Sequence, residues 1–302
     1  MRSFTGYTFQ NCRSLQSITI PEGIISLGTS AFSSCYALSN IVIPKSVTSI
    51  GLTAFNECLL LKSIIMPDGL TNIGEGAFAK CRSLSNIVIP KSVRSIGKKI
   101  FTSCMSLTSI VIPKGITKLG EEMFYGCSSL TSITIPDGVT SIGGSAFRSC
   151  YSLESIVIPE SVSDINGYYL FDECIRLKRI VMPDHITFSR YDSVYYNCYS
   201  LQSITIPESV TDIGTYAFRS CYSLTSLTIP ESVTRIGTNT FTSCVAMKFY
   251  DFTKHTSVPA LSNANAFSEI SSDCEIRVPA ALADEWKAAT NWSTYASQIV
   301  GV

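Results

Sequence analysis

The sequence predicts an α/β solenoid, a stack of about ten coils of 23 residues with one parallel sheet and a C-terminal cap. Eleven cysteines recur at steps of 23 residues, with 24 in two places, and ten prolines keep the same period. Two unrelated residue types that share one period define an internal repeat, and repeats of this length stack on their neighbours. The periodic cysteines are Cys12, Cys35, Cys58, Cys81, Cys104, Cys127, Cys150, Cys174, Cys198, Cys221 and Cys244.

Each coil carries the pattern C-x-x-L-x-x-I-x-I-P-x-x-V-x-x-I-G-x-x-A-F-x-x, and residues 127–149 are a complete example. Ile133 and Ile135 alternate with a polar residue, so both point to one face of a short strand. Pro136 ends the strand because it has no N–H for the ladder. We predict that Gly143 supplies a turn with permissive backbone angles. We also predict that the A-F-x-x-C segment forms a short helical turn on the convex side.

The length of the repeat indicates its class. A period of about 20–29 residues with L-x-x-I-x-I is typical of leucine-rich repeats, so we predict a right-handed leucine-rich-repeat solenoid, or horseshoe. The full pattern L-x-x-I-x-I-P-x-x-V-x-x-I-G-x-x-A-F-x-x-C resembles the BspA-like, or Treponema pallidum-type, family over residues 4–244. That resemblance implies a secreted or cell-surface protein of a bacterium or protist, of a family implicated in adhesion and host contact.

Two segments are predicted along the chain: a repeat array at 1–245 and a capping segment at 246–302. Within the cap, CEIRVP resembles one more strand, and AALADEWKAATNW has helical spacing after Pro279. The polar stretch 250–267 between the array and that strand is predicted to be a loop. The chain starts inside a repeat without a signal peptide. We therefore expect that the natural N-terminus was trimmed, with a native start as the alternative.

Composition excludes several functional classes. The chain has 23 basic and 23 acidic residues and is 45% hydrophobic, so it is not disordered and lacks the basic excess of a nucleic-acid binder. No run approaches about 18 apolar residues, so no membrane span is predicted. Neither C-x-x-C nor clustered Cys/His spacing occurs, so we predict no metal and no cofactor.

The cysteines allow three interpretations: disulfides, metal ligands or buried thiols. Stacked coils place equivalent Cα atoms about 4.8 Å apart, which a disulfide permits. Their Cβ atoms would then be about 4.8 Å apart as well, beyond the usual 3.5–4.5 Å. We therefore favour a ladder of small, buried, free thiols.

Catalysis has little support in the sequence. No G-x-S-x-G, H-E-x-x-H or glycine-rich phosphate loop is present. His185 follows a strand-ending proline by two residues and is expected in an exposed turn, and His255 falls in the polar stretch. We predict that the protein is not an enzyme.

Two features indicate a contact surface between residues 151 and 222. The middle residue of I-x-I faces away from the core, which exposes Val157, Val181 and Thr205. β-Branched residues also simply suit strands. Nine of the 14 tyrosines fall in this window, where two repeats lengthen to 24 residues. Tyrosines are common interface anchors, although bulky filling is the alternative. The candidates are Tyr168, Tyr169, Tyr191, Tyr196, Tyr199 and Tyr222.

These features predict a non-catalytic binding module at a cell surface or in secretion. Its partner is expected to be a protein or a glycan, and the sequence does not define the oligomeric state. The alternative is a structural spacer that holds another domain away from a cell or phage surface.

Overall fold

A computed structural model of the chain describes residues 3–188 and 191–302. The chain divides into two compact units, Met1–Leu153 and Glu154–Val302. Each unit is a stack of coils joined by parallel strand pairs, so the predicted solenoid is confirmed. The boundary predicted between residues 245 and 246 stays a prediction.

In the first unit the strands are two or three residues long and recur once or twice per coil. They are β1 (Ser3–Phe4), β2 (Ser26–Leu27), β3 (Asn40–Val42), β4 (Ser49–Ile50), β5 (Ser63–Ile65), β6 (Asn72–Ile73), β7 (Ser95–Ile96), β8 (Lys118–Leu119) and β9 (Ser141–Gly143). The I-x-I strands β3 and β5 pair in parallel, as predicted. A second ladder, β1-β2-β4-β6-β7, runs through the S-I dipeptide before the glycine, where no strand was predicted.

The second unit repeats this arrangement and ends in the cap. Its strands are β10 (Ser155–Val157), β11 (Asp164–Asn166), β12 (Arg179–Val181), β13 (Thr187–Phe188), β14 (Asp212–Ile213), β15 (Ser226–Thr228), β16 (Arg235–Ile236), β17 (Phe249–Asp251), β18 (Ala260–Leu261), β19 (Glu275–Val278) and β20 (Ile299–Gly301). The I-x-I ladder continues as β15-β17-β19-β20 and the second ladder as β14-β16-β18. The strand pairs of these two ladders are all parallel.

The A-F-x-x-C segment is a series of turns, which corrects the helical turn predicted there. Ser30 and Ser34 flank Phe32 with positive φ angles of 52° and 59°, which a right-handed helix does not allow. The N–H of Phe32 donates to the carbonyl of Ala54 in the next coil at 2.7 Å. The backbone therefore bonds between coils rather than along a helix.

The glycine column exists because successive coils approach closely, not because the turn needs unusual angles. A Cβ on Gly74 would lie 2.5 Å from the carbonyl carbon of Gly51 and 2.5 Å from the nitrogen of Leu52. Real Cβ atoms do not come this near to backbone. The described glycines with positive φ lie elsewhere in the coils, at Gly23, Gly76, Gly126 and Gly167.

Phenylalanine rings and cysteine thiols form the core. Phe55 and Phe78 stack with centroids 5.6 Å apart, and each fully buried ring contributes about 1.5–3 kcal/mol. The Cys81 thiol donates to the carbonyl of Phe55 at 3.2 Å, and the same bond recurs in other coils. Burial raises the pKa of Cys127 to about 12. The ladder of buried thiols is confirmed, with the exposed Cys12 as the exception.

The predicted strand and helix of the cap are present. Short 3-10 helices at Ala280–Leu282 and Trp292–Tyr295 flank the α-helix Ala283–Ala288, and Pro279 precedes the first of them. The Trp286 and Trp292 rings pack 4.6 Å apart.

The stretch 250–267 is not the loop that was predicted. It contains β18 and part of β17, and Phe267 stacks on Phe241 with centroids 4.9 Å apart. Apolar residues of this stretch, Leu261 and Phe267, therefore continue the stack. His255 is buried between aromatic rings, which corrects its expected place in a polar loop.

Candidate binding surface

The predicted column of exposed β-branched residues is assembled by the parallel ladder of the second unit. Val157 and Val181 lie directly opposite each other on β10 and β12. Val181 and Thr205 line one shallow groove of about 280 Å³, together with Arg179 and Asp184. We call Val157, Val181 and Thr205 the Val–Thr column. All three side chains are exposed, so the alternation that predicted them is correct.

Tyr199 and Tyr222 form an exposed aromatic pair. Their ring centroids are 4.9 Å apart with an interplanar angle of 17°, and 38% and 43% of the residues remain exposed. The two tyrosines are 23 residues apart, so the repeat places them at the same position of adjacent coils. Burial against its neighbours, with Tyr222 next in effect, raises the pKa of Tyr199. The pair therefore offers aromatic faces and hydroxyl groups to a ligand.

Tyr196 belongs to a second cluster that includes two residues the sequence did not single out. Its ring stacks on Tyr216 at 5.9 Å. The Arg219 guanidinium lies 5.3 Å from the Tyr216 ring and 5.8 Å from the Tyr196 ring, within cation–π range. Arg219 follows Tyr196 by 23 residues, so the repeat register alone predicts that the two meet.

Tyr168 and Tyr169 make a third pair, with an edge-to-face contact of 5.1 Å. Tyr168 is exposed and Tyr169 is half-buried. Tyr169 has a φ of 61°, a left-handed conformation that bulky residues seldom adopt. Consecutive residues in such a turn point in different directions, which gives the edge-to-face geometry.

Tyr191 is a core residue, in contrast to its selection as a contact residue. Only 3% of it is exposed, its ring meets Phe188 edge-on at 4.7 Å, and its hydroxyl donates to the Tyr195 hydroxyl at 3.5 Å. Burial raises its pKa. The longer repeat turns this extra tyrosine inwards, where it packs beside Tyr195 in the phenylalanine column. Tyr191 therefore packs mainly inside the protein, and a direct contact of this residue with a partner stays a prediction.

In residues 3–188 and 191–302, no group of three or more His, Cys, Asp or Glu side chains is arranged to hold a metal ion. Over the same described ranges, no helix has both the length and the apolar character needed to cross a bilayer.

Parallel short strands, a stacked phenylalanine column and a leucine-isoleucine core define the leucine-rich-repeat solenoid as the class of this protein. The model of the BspA type leucine rich repeat region matches residues 1–107, 94–195 and 189–284, in six copies. The chain belongs to the BspA-type leucine-rich-repeat family. Membership of this family indicates a binding or structural role.

Solved structures of bacterial proteins resemble the chain over most of its length. A leucine-rich repeat protein from Bacteroides ovatus is 26% identical, with 91% of this chain and 81% of that chain covered and a TM-score of 0.63. A leucine rich cell surface protein from Faecalibacterium prausnitzii is 28% identical, with 88% and 80% covered and a TM-score of 0.62. The pneumococcal vaccine antigen PcpA, 20% identical with 95% and 72% covered, shares the fold at a TM-score of 0.63. Among curated protein sequences, none matches this chain.

Proposed function

We propose that this protein is a non-catalytic binding module, secreted or displayed at a cell surface, that contacts a protein or a glycan. The observation that carries the proposal is the exposed, stacked pair Tyr199–Tyr222. Tyr199 and Thr205 belong to the same coil, so the tyrosine pair and the Val–Thr column have one repeat in common. Aromatic rings suit both partner classes, because they pack against apolar side chains and sugar rings while the hydroxyl still hydrogen-bonds.

The stacked fold supports binding through its rigidity. Tyr199 and Tyr222 are held by stacking and by the coils beneath them before any ligand arrives. Binding then loses little side-chain entropy, which otherwise costs about 0.5–1.5 kcal/mol per ordered side chain. A surface location is supported by the similar Faecalibacterium prausnitzii protein, which is described as a cell surface protein.

A structural spacer is the second candidate. The observation that favours it is the self-supporting column of stacked phenylalanine rings, with centroid spacings of 5.2–6.0 Å from Phe9 to Phe124. Such a column stabilises a stack without any ligand.

A binding screen separates the two candidates. The full chain is tested against immobilised host-matrix proteins and a glycan array, beside the double variant Tyr199→Ala/Tyr222→Ala. The matched control is Tyr7→Ala/Tyr36→Ala, which removes two tyrosines from the first unit. Circular dichroism confirms that every variant is folded.

The expected result is specific binding that the Tyr199/Tyr222 variant loses by about tenfold or more, as a truncated aromatic anchor would. The control variant is expected to bind as the native chain does. An equal loss in both variants would contradict the proposed site. Complete absence of binding by the folded native chain would favour the spacer.

A further inference from the structure

A wide groove opens on the I-x-I face of the first unit, away from the tyrosines. It has a volume of about 1290 Å³ and is lined by residues 86–92, 94 and 109–115, with Asp68 at one side. Val88 and Val111 are its exposed apolar floor. Their exposed fractions, 73% and 76%, exceed the 59% and 62% of Val42 and Ile65 at the same position of earlier coils. The valines of the groove are therefore less covered than Val42 and Ile65.

The groove lies where the ladder of regular I-x-I strands is interrupted. Residues 40–42 and 63–65 pair as regular parallel strands. In the described part of the chain, no ladder hydrogen bond joins residues 86–89 to 109–112. Val111 instead forms an isolated parallel bridge with Thr134, in the coil on its other side.

Basic side chains form the rim of the groove. Lys91, Arg94 and Lys114 are exposed, and none of them makes an ion pair within residues 3–188 and 191–302. Their positive charge is therefore not neutralised by the protein. Asp68 is the one acidic residue among those that line the groove.

Nearby lysines outside the groove behave differently. Lys98 pairs with Glu121 at 3.3 Å and Lys99 with Glu122 at 3.5 Å. Lys98 and Lys99 are thus neutralised by carboxylates of the next coil, whereas Lys91, Arg94 and Lys114 at the groove make no such ion pair in the described ranges.

We propose that this groove binds an extended, acidic segment of a protein partner that has apolar side chains at alternating positions. The inference rests on the proposed binding role and names the partner class for a second surface. Alternate side chains of an extended chain point to opposite sides, so apolar residues can cover Val88 and Val111 while acidic residues face outwards. The long side chains of Lys91, Arg94 and Lys114 reach acidic groups from the rim.

The apolar floor favours a peptide over an anionic polysaccharide. A sulfated polysaccharide would complement the rim charges but would leave Val88 and Val111 uncovered. A peptide with alternating acidic and apolar residues satisfies both features of the groove.

The test uses the full chain and a fluorescein-labelled octapeptide of four Asp-Val repeats, followed by fluorescence anisotropy. The groove variant is Lys91→Glu/Arg94→Glu/Lys114→Glu. The matched control, Lys80→Glu/Lys98→Glu/Lys118→Glu, changes the net charge equally outside the groove. A second variant, Val88→Ser/Val111→Ser, removes the apolar floor without changing charge. Heparin and an Asp-Ser octapeptide are the competing probes.

We expect the groove variant to bind the Asp-Val peptide at least about tenfold more weakly, and the control to bind within about twofold of the native chain. The floor variant should also lose affinity for Asp-Val, and Asp-Ser should bind more weakly than Asp-Val. Affinity should fall between about 50 mM and about 300 mM salt because the rim charges are exposed.

The inference would be overturned if Asp-Val did not bind, or if the groove and control variants lost affinity equally. A third result would also overturn it: heparin binds, the floor variant leaves heparin binding unchanged, and Asp-Val does not bind. The third would assign the groove to an anionic polysaccharide. A ligand from the binding screen that depends on Tyr199 and Tyr222 but not on the groove would preserve the proposed function while the groove proposal fails.

Discussion

The regular coils of the first unit and the C-terminal residues 246–302 stabilise themselves in different ways. In the regular coils, a side chain packs against the equivalent side chain of the next repeat. Phe78, for example, stacks on Phe101 with ring centroids 6.0 Å apart. In the C-terminal segment, unlike groups meet: Trp292 Nε1 donates to the carbonyl of Pro259 at 2.7 Å, and Asn291 Nδ2 to that of Leu261 at 2.9 Å. One set of packing contacts therefore serves many coils, whereas the C-terminal end needs contacts of its own.

The two kinds of packing differ in the polar groups that they bury. Stacked coils place equivalent apolar side chains in register, so their core contains few polar side chains. In the C-terminal segment, His255 Nδ1 and Trp286 Nε1 are buried without a hydrogen-bond partner. Buried polar groups without partners cost about 1–3 kcal/mol each. The end of the stack is therefore packed around ring nitrogens of unlike residues that lack hydrogen-bond partners.

The largest expected effect tests the phenylalanine column. Phe101→Ala should lower the free energy of unfolding by about 3–5 kcal/mol, because it removes a fully buried ring between two stacked neighbours. Chemical denaturation followed by circular dichroism measures the loss. Both tryptophans, Trp286 and Trp292, lie in the C-terminal segment, so tryptophan fluorescence reports that end separately.

Nearest-neighbour stabilisation predicts that the circular dichroism transition of Phe101→Ala moves to lower denaturant while the fluorescence transition moves less. Phe101→Leu is the control, and it should cost less because it retains apolar volume. Coincident shifts of both signals would show that the array and its end unfold as one unit and would remove this distinction.

The next effect tests the close approach of coils. Gly74→Ala should destabilise by about 1–3 kcal/mol, because the new Cβ meets backbone atoms at 2.5 Å that cannot move away easily. Gly69→Ala is the matched control: its Cβ would have the Lys45 carbonyl at 3.7 Å as its nearest contact. Thermal unfolding of the two variants gives the comparison. A cost for Gly74→Ala no greater than that for Gly69→Ala would disprove the role assigned to the glycine column.

Periodicity explains what the sequence could predict. The cysteine and phenylalanine columns, the I-x-I strand and the exposure of Val157, Val181 and Thr205 all follow from one register repeated along the chain. Even the Tyr199–Tyr222 stack follows from a spacing of 23 residues. A feature that recurs many times is supported by every copy.

The failures of prediction lie where the repeat pattern does not determine backbone conformation or side-chain direction. The positive φ of Ser30 depends on contacts with the next coil, which a propensity argument does not contain. Tyr191 occurs in a lengthened repeat, where register does not decide between inward and outward. His255 lies in a polar stretch whose few apolar residues, Tyr250, Phe252 and Leu261, are nevertheless buried. In these places tertiary packing overrides local composition.

The smallest expected effect concerns pH and the C-terminal segment. Burial lowers the pKa of His255, and this outweighs the opposite influence of the Val233 and Phe252 carbonyls and of Glu231 and Asp251. In the unfolded chain, histidine titrates near pH 6.5. As the pH falls below about 6.5, the unfolded chain therefore takes up a proton that the folded segment does not, and the free energy of unfolding decreases until the folded pKa is reached.

The urea midpoint measured by tryptophan fluorescence should consequently be lower at about pH 5.5 than at about pH 7, above the range in which most carboxylates titrate. His255→Gln should reduce this difference, because glutamine carries no titrating proton. A pH difference that survives His255→Gln would mean that the titration of His255 does not govern the stability of the C-terminal segment.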